Sequence, residues 1–320
     1  MLSYPDFKQK RILIINSIEG QKFSIMNDNI IIKDPEGHLI LQDTCFKIFS
    51  LWIIGNCSIT SVLLKKSKKY GFSIFHLQSN FRHIGSWSSA TEGNFLLRYK
   101  QYHFKNKELP KRIVTNKISN QLALIQELRN KNQNQKIAIV TLKSYIEKLK
   151  TTNDYFEIMG LEGVASKVFF GTYFYDLNWQ FRKPRAKTDY INVLLDIGYS
   201  FLFYWIENML NLYGFDLFKG IYHQPFYQRK SLVCDLQEPF RCIIDRTIRK
   251  SWNLKQINID DFEEYKGKIY IKNEMKKYYI NIFIKALMEY KDNMYFYCRD
   301  YYRAFIQDKN ANEFPFFNIS

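Results

Sequence analysis

One pair of acidic residues has the types and the spacing that metal-dependent chemistry can use. Asp235 and Glu238 lie three residues apart in the stretch HQPFYQRKSLVCDLQEPFR, which begins at His223. At a helix start this spacing places both carboxylates on one helix face, and paired carboxylate oxygens suit Mg²⁺ or Mn²⁺ better than zinc. A metal site needs further ligands from elsewhere in the chain, and neither His223 nor Glu162 in the stretch GLEG has a spacing that is specific for one.

The same residues also have purely structural explanations. Asp235 and Glu238 match a capping box, in which an acid at the N-cap and a glutamate three residues later satisfy the amides of the first turn. A lone histidine such as His223 is more often packed or solvated than bound to a metal, and Glu162 is typical of an acid near a helix N-terminus. The spacing alone favours the helix cap, although the cap and metal ligation are compatible.

The composition indicates a folded protein with a polyanionic partner. A chain of 320 residues with 46% hydrophobic and 17% aromatic residues is long enough for two domains and is not disordered. The net charge of +16 favours a partner such as nucleic acid, although part of this excess follows from a composition rich in Lys and Asn. The five cysteines include no CxxC pair, which argues against a disulfide framework and a structural zinc site. A reducing cytoplasm is the expected location.

Neither a signal peptide nor a membrane segment is expected. The N-terminus MLSYPDFKQKR is charged where a signal peptide needs an apolar run. The uncharged stretch between Lys47 and Lys65 is broken by Gly-Asn-Cys-Ser and is shorter than the roughly 20 residues that span a bilayer. Residues 190–218 are interrupted by acids, so both segments are predicted to be buried core.

The elements that must position the candidate residues begin with a β part. Short β-branched and aromatic runs separated by turn residues predict strands at Arg11–Ile18, Gln21–Met26, Asn29–Lys33, His38–Gln42, Phe46–Ile54, Phe72–Leu77 and Phe81–Ile84. Ser58–Tyr70 is predicted to be a helix that Gly71 ends, and Gly85–Gly93 is predicted to be a linker. The spacing of these runs suggests a small β-sandwich or layered sheet.

After the linker, apolar residues recur at three- and four-residue spacings, which predicts helices. The predicted helices are Asn94–Phe104, Lys111–Arg129, Gln135–Leu149, Tyr155–Tyr175, Asp189–Tyr213, Asp235–Trp252 and Lys272–Gln307. A short strand is predicted at Lys268–Ile271, and the tail Asn310–Ser320 is predicted to be disordered or a docking peptide. The fold class is therefore α+β: a small N-terminal β-sandwich domain, residues 1–88, precedes a larger all-α domain, residues 89–320.

Three short motifs follow one another along the chain: Glu162-Gly-Val-Ala-Ser, Gly220-Ile-Tyr-His223 and Asp235-Leu-Gln-Glu238-Pro-Phe-Arg241. Their order resembles the CRISPR-associated adaptation integrase, or Cas-one endonuclease, family. Arg98-Tyr-Lys-Gln101 and the segment from Arg182 to Tyr199 resemble further family signatures. The resemblance spans almost the whole chain, but Tyr190 stands where the family has Pro and Asp196 where it has Ser.

The resemblance implies a catalytic site. Glu162, His223 and Glu238 would bind Mg²⁺ or Mn²⁺, and Asp235 would be an accessory catalytic carboxylate. The implied activity is that of a DNA integrase and endonuclease, in which the 3′-hydroxyl of a prespacer attacks a phosphodiester at the edge of a CRISPR repeat while the metal polarises the phosphoryl oxygen. As a ligand His223 must be neutral, so activity is expected to fall at acidic pH. On this interpretation the helix start presents Glu238 to the metal with Asp235 in support, and capping of the helix is a secondary role of the two acids.

The resemblance also implies the partners. These are double-stranded DNA, as prespacer and as CRISPR repeat, a second copy of the chain bound through the β domain, and a Cas-two dimer that bridges two such homodimers. The cations expected near DNA phosphates are Arg182, Lys183, Arg185, Lys187, Arg229, Lys230, Arg241 and Arg246. About half of them are expected to touch phosphate, since the others are solvated or paired with acids.

Two other functions stay open at this point. A non-catalytic nucleic-acid-binding protein accounts for the charge and the aromatic residues, but it gives no reason for Glu162, His223 and Glu238 to occur together. A metal-dependent nuclease of another fold is disfavoured by the order of a β part followed by a helical part. Metal titration separates the integrase from the non-catalytic protein, because only the integrase requires Mn²⁺ or Mg²⁺.

Overall fold

A computed structural model of the chain describes residues 2–17, 21–89, 93–177, 179 and 181–319. The chain divides into two compact units: residues 1–94 with 207–215 make up the first, and residues 95–206 with 216–320 make up the second. A β-rich N-terminal region precedes a larger helical region, so the predicted α+β fold class is confirmed. The assignment of dimerisation to residues 1–88 and of catalysis to residues 89–320 stays a prediction.

The first unit contains two β-sheets within its described residues. Its elements are α1 (Tyr4–Lys8), β1 (Arg11–Asn16), β2 (Lys22–Met26), β3 (Asn29–Lys33), β4 (Leu39–Thr44), β5 (Ile48–Ile54), α2 (Ser61–Tyr70), β6 (Ser73–Leu77) and β7 (His83–Trp87). One sheet has the order β1-β5-β6-β7, with β1, β5 and β6 parallel and β7 antiparallel to β6. The other is the antiparallel meander β2-β3-β4.

The two sheets share one apolar core. Side chains from β1, β3 and β5, including Leu13, Ile32 and Leu51, are buried in a single cluster that Leu63 of α2 also joins. Every residue of β5 is buried, and this strand is paired on both edges, with β1 and with β6. Gly71 ends α2 in the left-handed conformation with a φ of 70°, as its position in the sequence predicts.

The predicted linker is partly wrong. Residues 85–87 belong to β7, where they pair with β6. Small polar residues resemble a linker in the sequence, but strand pairing uses backbone hydrogen bonds that any residue except proline supplies. Residues 90–92 of the predicted linker lie outside the described residues, as does Ile18 at the end of the first predicted strand.

The second unit is mostly helical. Its elements are α3 (Phe95–His103), α4 (Glu108–Glu127), α5 (Gln133–Thr151), α6 (Tyr155–Tyr173), α7 (Tyr190–Asn211), α8 (Ser231–Gln237), α9 (Arg241–Asn253), β8 (Phe262–Tyr265), β9 (Lys268–Ile271), α10 (Lys276–Glu289) and α11 (Lys291–Ile306). The residues of α7 from Glu207 onward belong to the first unit. Helices α4, α5 and α6 pack against one another, and α4 also contacts the 3-10 turn Glu238–Phe240 between α8 and α9.

Two predicted helices differ from the structure. The helix predicted at Asp235–Trp252 begins earlier, at Ser231, and the 3-10 turn interrupts it where Pro239 has no backbone N–H. The helix predicted at Lys272–Gln307 is divided at Tyr290 into α10 and α11, and no Gly or Pro marks this break. The predicted strand at β9 is confirmed, whereas its partner β8 is not indicated by the sequence pattern.

Residues 310–319 of the C-terminal tail pack against the helices, so the prediction of disorder is wrong for them. Phe314, Phe317 and Ile319 are buried. Two asparagines of α4 hold the tail backbone: Phe317 N donates to Asn116 Oδ1 at 2.9 Å, and Ile319 N donates to Asn120 Oδ1 at 2.8 Å. The apolar residues that suggest a docking peptide in the sequence are therefore packed inside the second unit.

Candidate active site

Two of the predicted site residues meet at a single ammonium group. Glu162 lies in the middle of α6, and Glu238 begins the 3-10 turn. Lys117 of α4 forms an ion pair with Glu162 Oε1, and its Nζ lies 2.6 Å from Glu238 Oε2. Ser166, one turn along α6, donates its hydroxyl to Glu162 Oε1 at 3.0 Å. The packing of α4, α6 and the turn thus brings together two acids that are far apart in the sequence.

Glu238 is buried and stays ionised. Its Oε1 lies 3.0 Å from Arg241 Nη2, so each carboxylate oxygen has its own cation. Burial raises the pKa of Glu238, but Arg241, Lys117 and His223 outweigh burial and hold that pKa at about 2. Burial lowers the pKa of Lys117, but Glu238 and Glu162 more than compensate, so its net pKa is raised. The site is therefore a compact cluster of buried and half-buried charges that depend on one another.

Asp235 organises the histidine loop, residues 220–230. This buried side chain of α8 accepts hydrogen bonds from the backbone amides of Ile221 at 2.6 Å, Tyr222 at 3.0 Å and His223 at 2.7 Å. Its Oδ1 also lies 2.7 Å from His223 Nδ1. Because an ionised carboxylate only accepts hydrogen bonds, Nδ1 carries a proton, and Nε2 is the ring nitrogen that a metal can use.

The histidine loop approaches α8 closely because residue 220 has no side chain. A Cβ at Gly220 would lie 2.4 Å from the carbonyl oxygen of His223 and 3.0 Å from Asp235 Oδ2. Gln101 of α3 holds the chain just before the loop, since its Nε2 donates to the carbonyls of Asp216 and Lys219, both at 2.7 Å. Gly220 and Gln101, which both belong to motifs seen in the sequence, therefore determine the path of the histidine loop.

The capping explanation of the acidic pair is wrong. Helix α8 begins at Ser231, so Asp235 lies inside it rather than at its N-cap. The carboxylate of Glu238 contacts Lys117 instead of a first-turn amide. Glu162 likewise lies well inside α6 and not near its N-terminus. Each acid has at least one partner that tertiary packing supplies and that local spacing does not reveal.

The carboxylate oxygens of Glu162 and Glu238 are donors of the kind that a hard divalent cation binds. Glu162 and Glu238 already share a positively charged partner, and Glu238 Oε2 makes no hydrogen bond of acceptable geometry to any described residue. His223 is near enough to lower the pKa of Glu238. Within the described residues, no three His, Cys, Asp or Glu side chains are close enough together to hold a metal ion. The structure thus brings Glu162 and Glu238 together around the Lys117 ammonium, while Asp235 holds the third expected ligand, His223.

Several of the cations predicted to contact DNA have partners within the second unit. The ion pairs are Arg182–Asp196 at 2.5 Å, Arg241–Glu238 at 3.0 Å and Arg246–Glu127 at 2.8 Å. Arg229 donates to the carbonyl of Gln224 in the histidine loop, and Lys183 and Lys187 lie over aromatic rings. Arg185 is exposed, and Lys230 immediately precedes α8. Contact of these cations with DNA stays a prediction.

The two departures from the family motif have structural roles. Asp196 accepts the guanidinium of Arg182 at 2.5 Å and the backbone amide of Arg185 at 2.9 Å. Tyr190 stacks on Trp252, with 5.6 Å between ring centroids and 2° between ring planes. Asp196 therefore holds the segment that carries two of the predicted DNA-binding cations, and Tyr190 packs the start of α7 against α9.

Sequence reasoning assigned no role in the site to three buried polar residues that lie around it: Lys117, Gln121 and Asp245. Lys117 and Gln121 are one helical turn apart on α4, and Asp245 Oδ1 accepts the hydroxyl of Tyr199 at 2.5 Å. Burial raises the pKa of Asp245 to about 7, against the opposing effects of Tyr199 and nearby cations. Polar residues among the apolar positions of a helix are the signal that identifies such groups, because buried polar atoms need partners.

Comparison with known proteins identifies the family that the motifs indicate. Residues 14–285 match the family described as CRISPR associated protein Cas1. The chain belongs to this family. It is 30% identical, over 243 residues, to the CRISPR-associated endonuclease Cas1 1 of Thermodesulfovibrio yellowstonii. This alignment covers 71% of this chain and 76% of that protein.

Solved structures share the fold. A chain of a Cas6-RT-Cas1–Cas2 complex aligns with a TM-score of 0.82 and 20% identity, over 98% of this chain and 36% of that chain. A casposase bound to integration product aligns with a TM-score of 0.79 and 19% identity, over 97% of this chain and 96% of that chain. Separately, no helix within the described ranges is long and apolar enough to cross a membrane.

Proposed function

We propose that this protein is a metal-dependent DNA integrase and endonuclease of CRISPR adaptation. In the proposed reaction, the 3′-oxygen of a prespacer forms a bond to phosphorus in the CRISPR repeat, and the bond from that phosphorus to a repeat 3′-oxygen breaks. One phosphodiester replaces another, so the step needs no external energy source. The same site cuts DNA when water is the attacking group.

One observation carries this proposal: in a chain of the Cas1 family, Glu162 and Glu238 both contact the buried ammonium of Lys117. The names of the similar proteins support it, since one is an endonuclease and another is a casposase bound to its integration product. Metal-dependent phosphoryl transfer needs carboxylates gathered in this way, because a divalent cation binds hard oxygen donors.

The residues of the chain have distinct roles in the proposed mechanism. Glu162, Glu238 and His223 would hold Mg²⁺ or Mn²⁺, which supplies charge that polarises a phosphoryl oxygen. Asp235 keeps Nδ1 of His223 protonated and fixes the orientation of the ring. Arg241 keeps Glu238 ionised through its contact with Oε1.

The proposed assembly contains double-stranded DNA, a homodimer formed through residues 1–88 and a Cas2 dimer that bridges two homodimers. A similar structure that contains Cas1 and Cas2 supports this assembly. Light scattering of the full chain, alone and with Cas2, tests it. A monomer in the first measurement contradicts the homodimer, and unchanged mass in the second contradicts the bridge.

A strand-transfer assay tests the proposed activity. The purified protein is combined with Cas2, a labelled prespacer and a supercoiled plasmid that carries a repeat. Glu162→Ala, His223→Ala and Glu238→Ala are each expected to abolish transfer while circular dichroism stays unchanged. Transfer that persists in one variant removes that residue from the essential ligands, and transfer that is independent of Mn²⁺ and Mg²⁺ overturns the proposal.

A further inference from the structure

Lys117 occupies the point where the proposed metal ligands converge. It lies on α4 with 8% of its surface exposed, and its ammonium contacts Glu162 Oε1 and, at 2.6 Å, Glu238 Oε2. Glu238 is buried and Glu162 is half-buried, so without a cation between them the two carboxylates repel and are poorly hydrated. A lysine at this point supplies the missing charge from within the chain.

A small polar cavity adjoins this contact. Its volume is about 20 Å³, and its lining includes Lys117, Gln121, Glu238 and Asp245. This is enough room for one small polar group, since about 10–15 Å³ holds a water molecule. Gln121 Oε1 is buried in this lining and has no hydrogen-bond partner among the described residues. The cavity therefore offers an acceptor and a carboxyl group beside the place that the ammonium now occupies.

We propose that Lys117 is a displaceable cation, which neutralises Glu162 and Glu238 until a divalent metal binds and then moves into the cavity toward Gln121 and Asp245. An ammonium and a divalent metal cannot both occupy the point between the same two carboxylate oxygens. The flexible four-carbon stem of lysine allows such a movement, whereas a planar guanidinium is more constrained. The inference rests on the proposed function, because it assigns the metal to Glu162 and Glu238.

The first test measures Mn²⁺ affinity of the full chain by electron paramagnetic resonance of free Mn²⁺. Lys117→Met removes the competing cation, so the dissociation constant is expected to fall on the order of tenfold relative to wild type. The metal-free variant is expected to melt at a lower temperature than wild type, and Mn²⁺ is expected to raise its melting temperature more. Lys117→Gln provides the same comparison if the methionine variant does not fold.

Lys111→Met is the matched control. Lys111 is also on α4 and is 7% exposed, but its ammonium contacts Glu108 at 2.7 Å rather than the proposed ligands. This variant is expected to lose stability without a change in Mn²⁺ affinity. A tenfold gain in affinity in Lys111→Met as well overturns the inference, because general loss of positive charge would then explain the effect.

A second test addresses the movement itself. Gln121→Leu removes the acceptor in the cavity, so it is expected to weaken Mn²⁺ binding several-fold when Lys117 is present. In the Lys117→Met background the same substitution is expected to have no effect, because no ammonium needs a new position. Equal effects of Gln121→Leu in both backgrounds overturn the proposed movement.

Failure of the inference and failure of the proposed function give different results. If wild type binds no Mn²⁺, or if Glu238→Ala binds it as well as wild type, the metal assignment fails and the inference fails with it. If wild type binds Mn²⁺ through Glu238 but Lys117→Met binds it no more tightly, only the inference is overturned.

Discussion

Asp235 holds His223 at two points: Oδ1 accepts the backbone amide at 2.7 Å and lies 2.7 Å from ring Nδ1. The backbone contact positions the loop, and the ring contact selects the tautomer. One buried carboxylate therefore sets both where the imidazole lies and which nitrogen it presents to a metal. Asp235 acts in the proposed mechanism through His223 and needs no contact with the metal.

Asp235→Asn is expected to weaken both folding and metal binding. The amide NH₂ of asparagine cannot accept the backbone amides that the carboxylate accepts, so the free energy of unfolding should fall by about 1–3 kcal/mol. The dissociation constant for Mn²⁺ should rise by roughly 10–100-fold, as for other residues that orient metal ligands. Urea unfolding and Mn²⁺ titration measure the two effects.

Asp261→Asn is the control for that variant, because Asp261 accepts the hydroxyl of Tyr279 at 2.7 Å instead of holding the histidine loop. It should alter stability and leave Mn²⁺ affinity unchanged. Wild-type Mn²⁺ affinity in Asp235→Asn would contradict the orienting role.

Two glycine substitutions are expected to change stability in opposite directions. In Gly220→Ala, the new Cβ would lie 2.4 Å from the carbonyl oxygen of His223, so the loop must move, at a cost of about 1–3 kcal/mol. In Gly160→Ala, within α6, the new Cβ would meet nothing within 4 Å. Alanine at this helical position should stabilise the protein by up to about 1 kcal/mol. Thermal unfolding of both variants measures the contrast, and a destabilised Gly160→Ala would contradict open space beside Gly160.

Asp245 is expected to make stability depend on pH. Its pKa is raised from an ordinary value of 3.8 to about 7 in the folded protein, so the folded state binds the proton more tightly than the unfolded state. The free energy of unfolding should therefore fall as pH rises from about 4 to about 7, by up to roughly 1.4 kcal/mol per pH unit. Glu238, whose pKa is lowered from 4.5 to about 2, adds the opposite dependence mainly below pH 4.5.

Asp245→Asn removes this titrating group. Metal-free urea unfolding between about pH 4 and about pH 7 should give a flatter profile for the variant than for wild type. Parallel profiles for the two proteins would exclude Asp245 as the source of the dependence.

The predicted DNA-binding cations are expected to separate into two groups. Arg185 is exposed, so Arg185→Gln should weaken DNA binding and reduce the salt slope of log K by about 0.9 for one lost phosphate contact. Arg246 contacts Glu127 and the hydroxyl of Tyr290, both at 2.8 Å, so Arg246→Gln should cost about 1 kcal/mol of stability and leave the slope unchanged. Fluorescence anisotropy with duplex DNA at several salt concentrations distinguishes them. Equal slopes for Arg185→Gln and wild type would remove Arg185 from the DNA interface.

The sequence by itself determined the fold class and the family. Strand and helix periodicities are local properties, and the motifs around Glu162, His223 and Glu238 keep their order along the chain. Local patterns could not locate the break at Tyr290 or the strand β8, because tertiary packing sets these features. They also suggested a helix cap for Asp235, which the structure places inside α8.

Only the tertiary structure decided which charges meet. Lys117 precedes Glu162 by 45 residues, and no sequence spacing links these two residues to Glu238. The burial of a carboxylate is tolerable only when a cation or several donors reach it, and those partners come from other helices. The acids of the site were therefore visible in the sequence, whereas the lysine between them became visible only when α4, α6 and the 3-10 turn were packed together.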